Sequence, residues 1–281
     1  MKVRSLAPRN RGIDRLLAAS FNPNAKTIDD SIATAKSNTT TFPVPVQPDL
    51  RTSQTGILPH RIILTFTQFF IRAASLALMS LIAKFEVHGR YNAESAEKPL
   101  LLISNHKSYI DPLIIAASLP LFSKAYPLYF IGKDELFKNH IVSLTFRLLG
   151  TFPVFRGQGM EKSWSIPIDL LVRQEQAVVF FPEGQCIREE RLGDGKLGAA
   201  RLALQIRDLY IVPIAICGSH KLKHFIFRPK VRVAIGVPFT LASRVSPADL
   251  DIESVSTLLM EEIARLYRPL TEYDPPAALE I

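Results

Sequence analysis

From residue 85 onward the chain is punctuated by short, unbroken apolar runs that end abruptly at polar turns. Pro99–Ile103, Ala177–Phe181 and Ile211–Ile216 are the clearest. Each is too brief for a buried helix, and each lacks the alternation of a strand with one face in water. Such runs belong to strands covered on both faces, which calls for helices on either side of a sheet. Further strands are expected at Phe85–Gly89, Tyr126–Ile131, Thr151–Phe155 and Lys230–Val237. Helical patterns lie between them: the residues after Pro112 to about Ser118, Asp134–Leu149 with Asp134 as cap, Ser163–Gln174 broken or started by Pro167, and Lys196–Arg207. In Asp249–Tyr267, Ile252, Val255, Leu259, Ile263 and Leu266 fall on one helical face. The alternation predicts a single layered α/β domain with a mixed, mainly parallel sheet flanked by helices. Pro213, near the start of its strand, is consistent with an edge or a bulge, and the strand itself reads as sheet core. The chain shows no internal repeat, no Gly-x-Gly-x-x-Gly or phosphate-loop motif, and no Gly-x-Ser-x-Gly elbow.

The flanks read differently. Residues 1–56 are rich in Asn, Thr, Ser and Pro and are expected to be a mostly disordered basic tail, with Lys2, Arg4, Arg9, Arg11 and Arg15 against Asp14. No secretory signal is read there. Residues 57–84 form an apolar helical segment in which Ile62–Ile71 and Ala73–Ala83 are separated only by Arg72. Its length suits a membrane span, but an arginine at the centre of a span costs ~2.5–3.5 kcal/mol. Thr65, Gln68, Arg72 and Ser75 make one narrow polar stripe on such a helix. Three arrangements share this pattern: a helix in the bilayer interface with its stripe toward water or protein, a single span, and a buried helix of the domain. Residues 271–281 are expected to be a short tail.

A net charge of +8 asks for an anionic partner. Zinc-finger spacings and aromatic-interleaved RNA-binding signatures are absent, so nucleic acid is not favoured. The basic run His220–Arg244 contains Lys221, Lys223, Arg228, Lys230, Arg232 and Arg244 and no acidic residue. It suits an anionic lipid surface, an acidic carrier protein, or plain solvation. His220 and His224 lack a third ligand, which disfavours a metal site. The two cysteines, Cys186 and Cys217, lack metal spacing and read as reduced thiols in a protein facing a reducing compartment.

Reactive groups in α/β proteins collect just after strands. There the chain carries Ser104-Asn-His-Lys-Ser-Tyr-Ile-Asp-Pro112, which sets His106 five residues before Asp111. A histidine beside a carboxylate that fixes its tautomer can take a proton from a hydroxyl. The same residues also make an Asn/Ser/Asp-rich helix cap. Arg156 follows the Thr151–Phe155 strand and offers a fork for phosphate or carboxylate. Phe180-Phe181-Pro182-Glu183-Gly184 sets a carboxylate and a permissive glycine at the mouth of another strand. Taken singly, Arg156 and Glu183 also read as solvated residues at strand ends.

Together these blocks resemble the glycerolipid acyltransferase family, typified by lysophosphatidic acid (1-acylglycerol-3-phosphate) acyltransferases. The order Asn-His-x-Ser-x-x-Asp-Pro, Gly…Phe-x-Arg, Phe-Pro-Glu-Gly, Val-Pro-Ile is the family's, and Lys196-Leu-Gly-Ala-Ala-Arg201 is similar to its Lys-x-Gly-Ala-Ala-Arg helix start. The likeness covers roughly 85–236 and implies an acyltransferase domain over 85–270. It implies His106 as general base and Asp111 as its orienter, with the acceptor hydroxyl attacking an acyl thioester directly. No metal or other cofactor is implied; acyl-coenzyme A or acyl-carrier protein is the donor substrate. Arg156 would contact the acceptor phosphate, Glu183 and Gly184 would shape the acceptor pocket, and Ser108 and Asn105 would position it. One departure stands out: the family's Glu-Gly-Thr-Arg-Ser reads Glu183-Gly-Gln-Cys186-Ile-Arg188 here. Arg188 and Lys196 are the cations available to replace the missing arginine. The expected protein is a membrane-associated O-acyltransferase on the cytoplasmic face, acting on a lysophospholipid, most simply 1-acylglycerol 3-phosphate. The alternatives are glycerol 3-phosphate or another lysolipid as acceptor, or a silent lipid-binding module on the same fold.

Overall fold

The buried runs pair into one seven-stranded sheet. The computed structural model describes residues 61–154, 166–173, 176–206, 208–246 and 250–272. Its strands are β1 (Lys84–His88), β2 (Leu100–Ser104), β3 (Leu128–Lys133), β4 (Thr151–Val154), β5 (Ala177–Phe180), β6 (Tyr210–Cys217) and β7 (Lys230–Ile235). The spatial order is β1-β7-β6-β2-β5-β3-β4. Every pairing is parallel except β6 with β7. This is the expected mixed, mainly parallel sheet.

Helices α1 (Arg61–Ile82), α2 (Asp111–Ser118), α3 (His140–Leu148), α4 (Leu197–Gln205) and α5 (Ile252–Glu272) surround it. Side chains alternate across β2, so Leu100 and Leu102 join Ile114 of α2 and Met79 of α1 on one face. Leu101 and Ile103 join Leu202 of α4 and Leu259 and Ile263 of α5 on the other. Burying one such side chain contributes ~1.5–3 kcal/mol, and this double covering is why β2 is apolar from Leu100 to Ile103.

Several boundaries differ from the expectation. Asp134–Leu149 is two elements, a 3-10 turn at Asp134–Phe137 and then α3. The cap of α3 is Asn139, whose side chain accepts from Ile141 N (2.9 Å) and Val142 N (3.2 Å), so it sets the start of the true helix. Of the expected Ser163–Gln174 helix, 166–173 are described, ending in a π-helical turn at Asp169–Arg173. Helix α5 begins where Asp251 accepts from Ser254 N (2.8 Å), and it runs past Tyr267 to Glu272. The tails at 1–56 and 273–281, and Arg156, lie outside the described residues.

Pro213 does not mark an edge, because β6 lies between β2 and β7. It marks a bulge. Ile214 pairs with Ile235, while Ile211 bridges Phe239, so one extra residue separates the two pairings on the 235–239 side. Ile211 N–H faces Phe239 O (2.7 Å), so the N–H that Pro213 lacks would point into this irregular stretch.

The polar stripe of α1 faces the protein. Arg72 is 4% exposed and donates through Nε (3.1 Å) and Nη2 (2.6 Å) to Leu119 O, placing a cation at the C-terminus of α2. Gln68 donates to Leu128 O (2.6 Å) and Leu149 O (3.2 Å) and accepts from Leu128 N (2.8 Å). Gly150 (φ +81°) makes room for that amide, since a Cβ there would stand 2.6 Å from Gln68 Nε2. Thr65 is exposed and lies off the stripe; Leu64 is the buried residue of that turn. The outer face carries Ile62, Ile63, Phe66, Phe70, Leu78 and Leu81, all exposed. An arginine that would be costly inside a span is here a hydrogen-bonded contact to the domain.

Candidate active site

The turn between β2 and α2 is built around the Asp111 carboxylate, which is fully buried. Its Oδ2 accepts Lys107 N–H (2.6 Å), Ser108 N–H (2.7 Å) and the His106 Nδ1 proton (2.9 Å). Its Oδ1 accepts the Ser219 hydroxyl (2.7 Å). Pro112 follows at the start of α2, where a missing N–H has no helical partner to lose. The polar turn is therefore wound on a single anion, and the helix-cap reading fails: the cap position of α2 is Ile110, and no side chain of the turn caps the helix.

His106 is held from four sides. Its N–H donates to Glu183 Oε2 (2.8 Å), and its carbonyl accepts Ile187 N–H (2.7 Å). Its ring stacks on Phe181 with centroids 4.3 Å apart, and Nδ1 is fixed by Asp111. With Nδ1 protonated against the carboxylate, Nε2 carries the lone pair. The imidazole side chain is 17% exposed. A ring with its tautomer set, its plane fixed and one basic nitrogen open can accept a proton from an alcohol.

Asn105, expected to position the acceptor, and Glu183, expected to shape its pocket, are both buried and hydrogen-bonded within the protein. Asn105 is fully buried; its Nδ2 donates to Ile216 O (2.8 Å) and its Oδ1 accepts Ile216 N–H (2.7 Å), so it pins the turn to β6. Glu183 is 1% exposed, and its second oxygen accepts Gly193 N–H (2.7 Å). It joins the histidine turn to the 183–195 loop. Gly184 (φ +64°) closes the tight turn in which its own N–H donates to Phe181 O (2.9 Å). Ser108 is half-buried, its hydroxyl 3.5 Å from Ile110 N within the same turn.

The replacement cations lie at the rim. Arg188 is exposed and stacks over Tyr109 at 5.1 Å from the ring centroid. It also hydrogen-bonds Cys186, the residue at the family's arginine position; burial and then the Asp111 carboxylate push that thiol up, with Arg188 pulling the other way. Lys196 is exposed, and its N–H ties the loop exit to Pro182 O (2.8 Å). Arg188 is therefore placed beside the histidine turn, and Lys196 at the foot of the loop.

Sequence reading missed two members of this site. Lys107, between His106 and Ser108, has a fully buried side chain whose ammonium donates to Glu189 O (2.9 Å) and to Arg191 O and lies over Tyr267. Burial lowers its pKa. A lysine in a polar turn normally reads as solvated, and no local signal marks it otherwise. Ser219 had one available signal, its place in Cys217-Gly-Ser219 directly after a strand on the ligand-binding edge. Among the described residues, no group of three or more His, Cys, Asp or Glu is placed to hold a metal ion.

Comparison with known proteins converges on one group. Residues 84–217 match the family model described as Acyltransferase. A 1-acyl-sn-glycerol-3-phosphate acyltransferase of Streptococcus pneumoniae is 27% identical over 191 residues, covering 68% of this chain and 69% of the relative. A probable 1-acyl-sn-glycerol-3-phosphate acyltransferase of Mycoplasma genitalium is 30% identical over 124 residues, 44% of this chain and 46% of its own length. The crystal structure of the 1-acyl-sn-glycerophosphate (LPA) acyltransferase of Thermotoga maritima shares the fold, with TM-score 0.53 at 19% identity over 71% of this chain and 79% of that one.

Proposed function

This chain belongs to the acyltransferase family, and from that premise we propose that it transfers a fatty acyl group from a thioester donor to the free hydroxyl of 1-acylglycerol 3-phosphate, giving phosphatidic acid. The observation that carries the reading is the His106 Nδ1–Asp111 Oδ2 contact of 2.9 Å, with Nε2 left for the acceptor. The acceptor oxygen attacks the thioester carbonyl carbon as its proton passes to Nε2. The tetrahedral adduct then collapses, the carbon–sulfur bond breaks, and the departing thiolate takes the proton back from the imidazolium. Asp111 supports the transient imidazolium throughout. The hydroxyl itself is the nucleophile, so the route needs no acyl-enzyme at Ser108.

Acyl-coenzyme A and acyl-carrier protein are the donors this route accepts. Arg188 over Tyr109 takes the acceptor phosphate in place of the arginine that Cys186 replaces, with Arg156 as a second contact. Residues 85–270 form the catalytic domain, and α1 seats it on a membrane, on the cytoplasmic face, where both thiols stay reduced. Support for the membrane comes from α1 itself, the one described helix long and apolar enough to cross a bilayer, which turns its polar stripe inward and its apolar face out.

Membranes containing the full-length protein, incubated with labelled acyl donor and a panel of lysolipids, test the reading. Transfer is expected to be highest onto 1-acylglycerol 3-phosphate and abolished by His106→Ala. Equal transfer by wild type and His106→Ala overturns the proposed chemistry; preference for another acceptor overturns the assigned head group.

A further inference from the structure

Resting on the membrane reading of α1, we propose that Ser219–Phe227 is a second lipid-contacting element, which seats Ile226 and Phe227 in the headgroup region of an anionic bilayer. Ile226 is 80% and Phe227 82% exposed, adjacent in sequence, on a segment that is firmly held. Ser219 at its start is hydrogen-bonded to Asp111, and Leu222 is buried in the main core. At its far end Arg228 donates to Ser80 O (2.7 Å) in the last turn of α1 and to Ala83 O (3.4 Å) just beyond it. The apolar pair is thus displayed by a segment fastened at Ser219, Leu222 and Arg228.

The placement adjoins a surface already present. Leu81, at the end of the apolar face of α1, is exposed one residue from the carbonyl that Arg228 grips, so Arg228 fastens the end of this segment beside the end of that helix. The segment also leaves the sheet at the edge where His106 and Asp111 stand, since it follows β6 and supplies Ser219 to the relay. Residues 219–230 contain no acidic side chain. Lys221 is taken by Glu190, while Lys223 is exposed beside the pair and Arg228 borders it. Large apolar residues flanked by cations match the boundary between acyl chains and acidic headgroups. An acidic carrier protein would be met by the cations but would leave Ile226 and Phe227 without an apolar counterpart.

Phe227→Trp in the full-length chain reads the contact directly, taking the difference in emission from the parent, which carries its own Trp164. With vesicles of phosphatidylglycerol and phosphatidylcholine, the added tryptophan is expected to shift to the blue and to be quenched by lipids brominated near the headgroup. The half-saturating lipid concentration should rise about fivefold with phosphatidylcholine alone, as expected for roughly one effective cation at the surface. Phe66→Trp on α1 is the companion. Water-like emission at 227 with blue-shifted emission at 66 overturns this inference and leaves the α1 reading standing. Water-like emission at both positions overturns the two together. A shift at 227 produced by acyl-carrier protein but not by vesicles assigns the surface to a protein partner and overturns it as well.

Discussion

Asp111→Asn separates the charge of the relay from its hydrogen bonds. In the native turn Oδ2 accepts three protons, from Lys107 N, Ser108 N and His106 Nδ1, and Oδ1 accepts that of Ser219. An asparagine with its oxygen at the Oδ2 position keeps the first three bonds, and its NH2 then faces Ser219, whose hydroxyl can turn to accept. The geometry and the histidine tautomer survive. Charge assistance is worth ~1 kcal/mol per bond, but the variant also avoids burying an anion, so the net loss should be about 1 kcal/mol, or roughly 2–4 °C in Tm. The transition state is affected more. An imidazolium whose charge centre lies ~4 Å from the carboxylate gains ~4 kcal/mol at an effective dielectric of about 20, which corresponds to about 10³ in kcat. Asp111→Ala, by contrast, strands two backbone N–H groups and a hydroxyl in a fully buried site, at ~1–3 kcal/mol each, and should fail on stability first. The assay is acyl transfer by detergent-solubilised protein at saturating donor and lysolipid, beside thermal unfolding of each variant. Asp111→Asn within tenfold of wild type at an unchanged Tm refutes the electrostatic role. If it unfolds as readily as Asp111→Ala, the hydrogen-bond account is wrong.

Lys107→Met removes the ammonium that holds Glu189 O and Arg191 O, and those exposed carbonyls can turn to water, so Tm should change by only a few degrees while KM for the lysolipid rises about tenfold with a smaller change in kcat. Because burial lowers the folded pKa of Lys107, the unfolded chain holds this proton to higher pH and the group's contribution to stability rises through the alkaline range; thermal melts against pH should lose that rise in the variant. Arg72→Leu leaves Leu119 O without its two donors and should destabilise the fold by ~1.5–3 kcal/mol, seen as a lower Tm and faster amide exchange in α1. A helix that instead left the domain to cross the bilayer would gain from the same substitution.

The sheet was legible because its strands are buried on both faces, so Pro99–Ile103 and Ala177–Phe181 carry no helical periodicity. The segment 134–149 misled because Asp134 and Asn139 are both competent caps, and only the packing of the chain decides which opens the longer helix. On α1 the stripe was visible, but its direction was not: Gln68 and Arg72 suit water as well as buried carbonyls, and Leu119 and Leu128 are distant in sequence. The same limit applies to the site. His106 and Asp111 sit in one turn, so their pairing was legible. Asn105 and Glu183 were placed against substrate because a buried pin and a ligand contact use the same residue types. Lys107 and Ser219 take their roles from loops about eighty and more than a hundred residues away. For Pro213 the bulge and the core position of its strand were both legible, and only the edge alternative fell away.

The inward stripe of α1 also bears on how the protein can be handled. A helix whose side chains supply the hydrogen bonds of Leu119, Leu128 and Leu149 is part of the domain's own wall rather than a rope tied to it. Cutting the chain at Lys84 would not release a soluble enzyme; it would open the core beside Met79 and leave those backbone groups exposed. Water solubility has to be sought on the outer side of the same helix, by recolouring Ile62, Phe66, Phe70 and Leu81 with polar residues while Gln68 and Arg72 stay untouched.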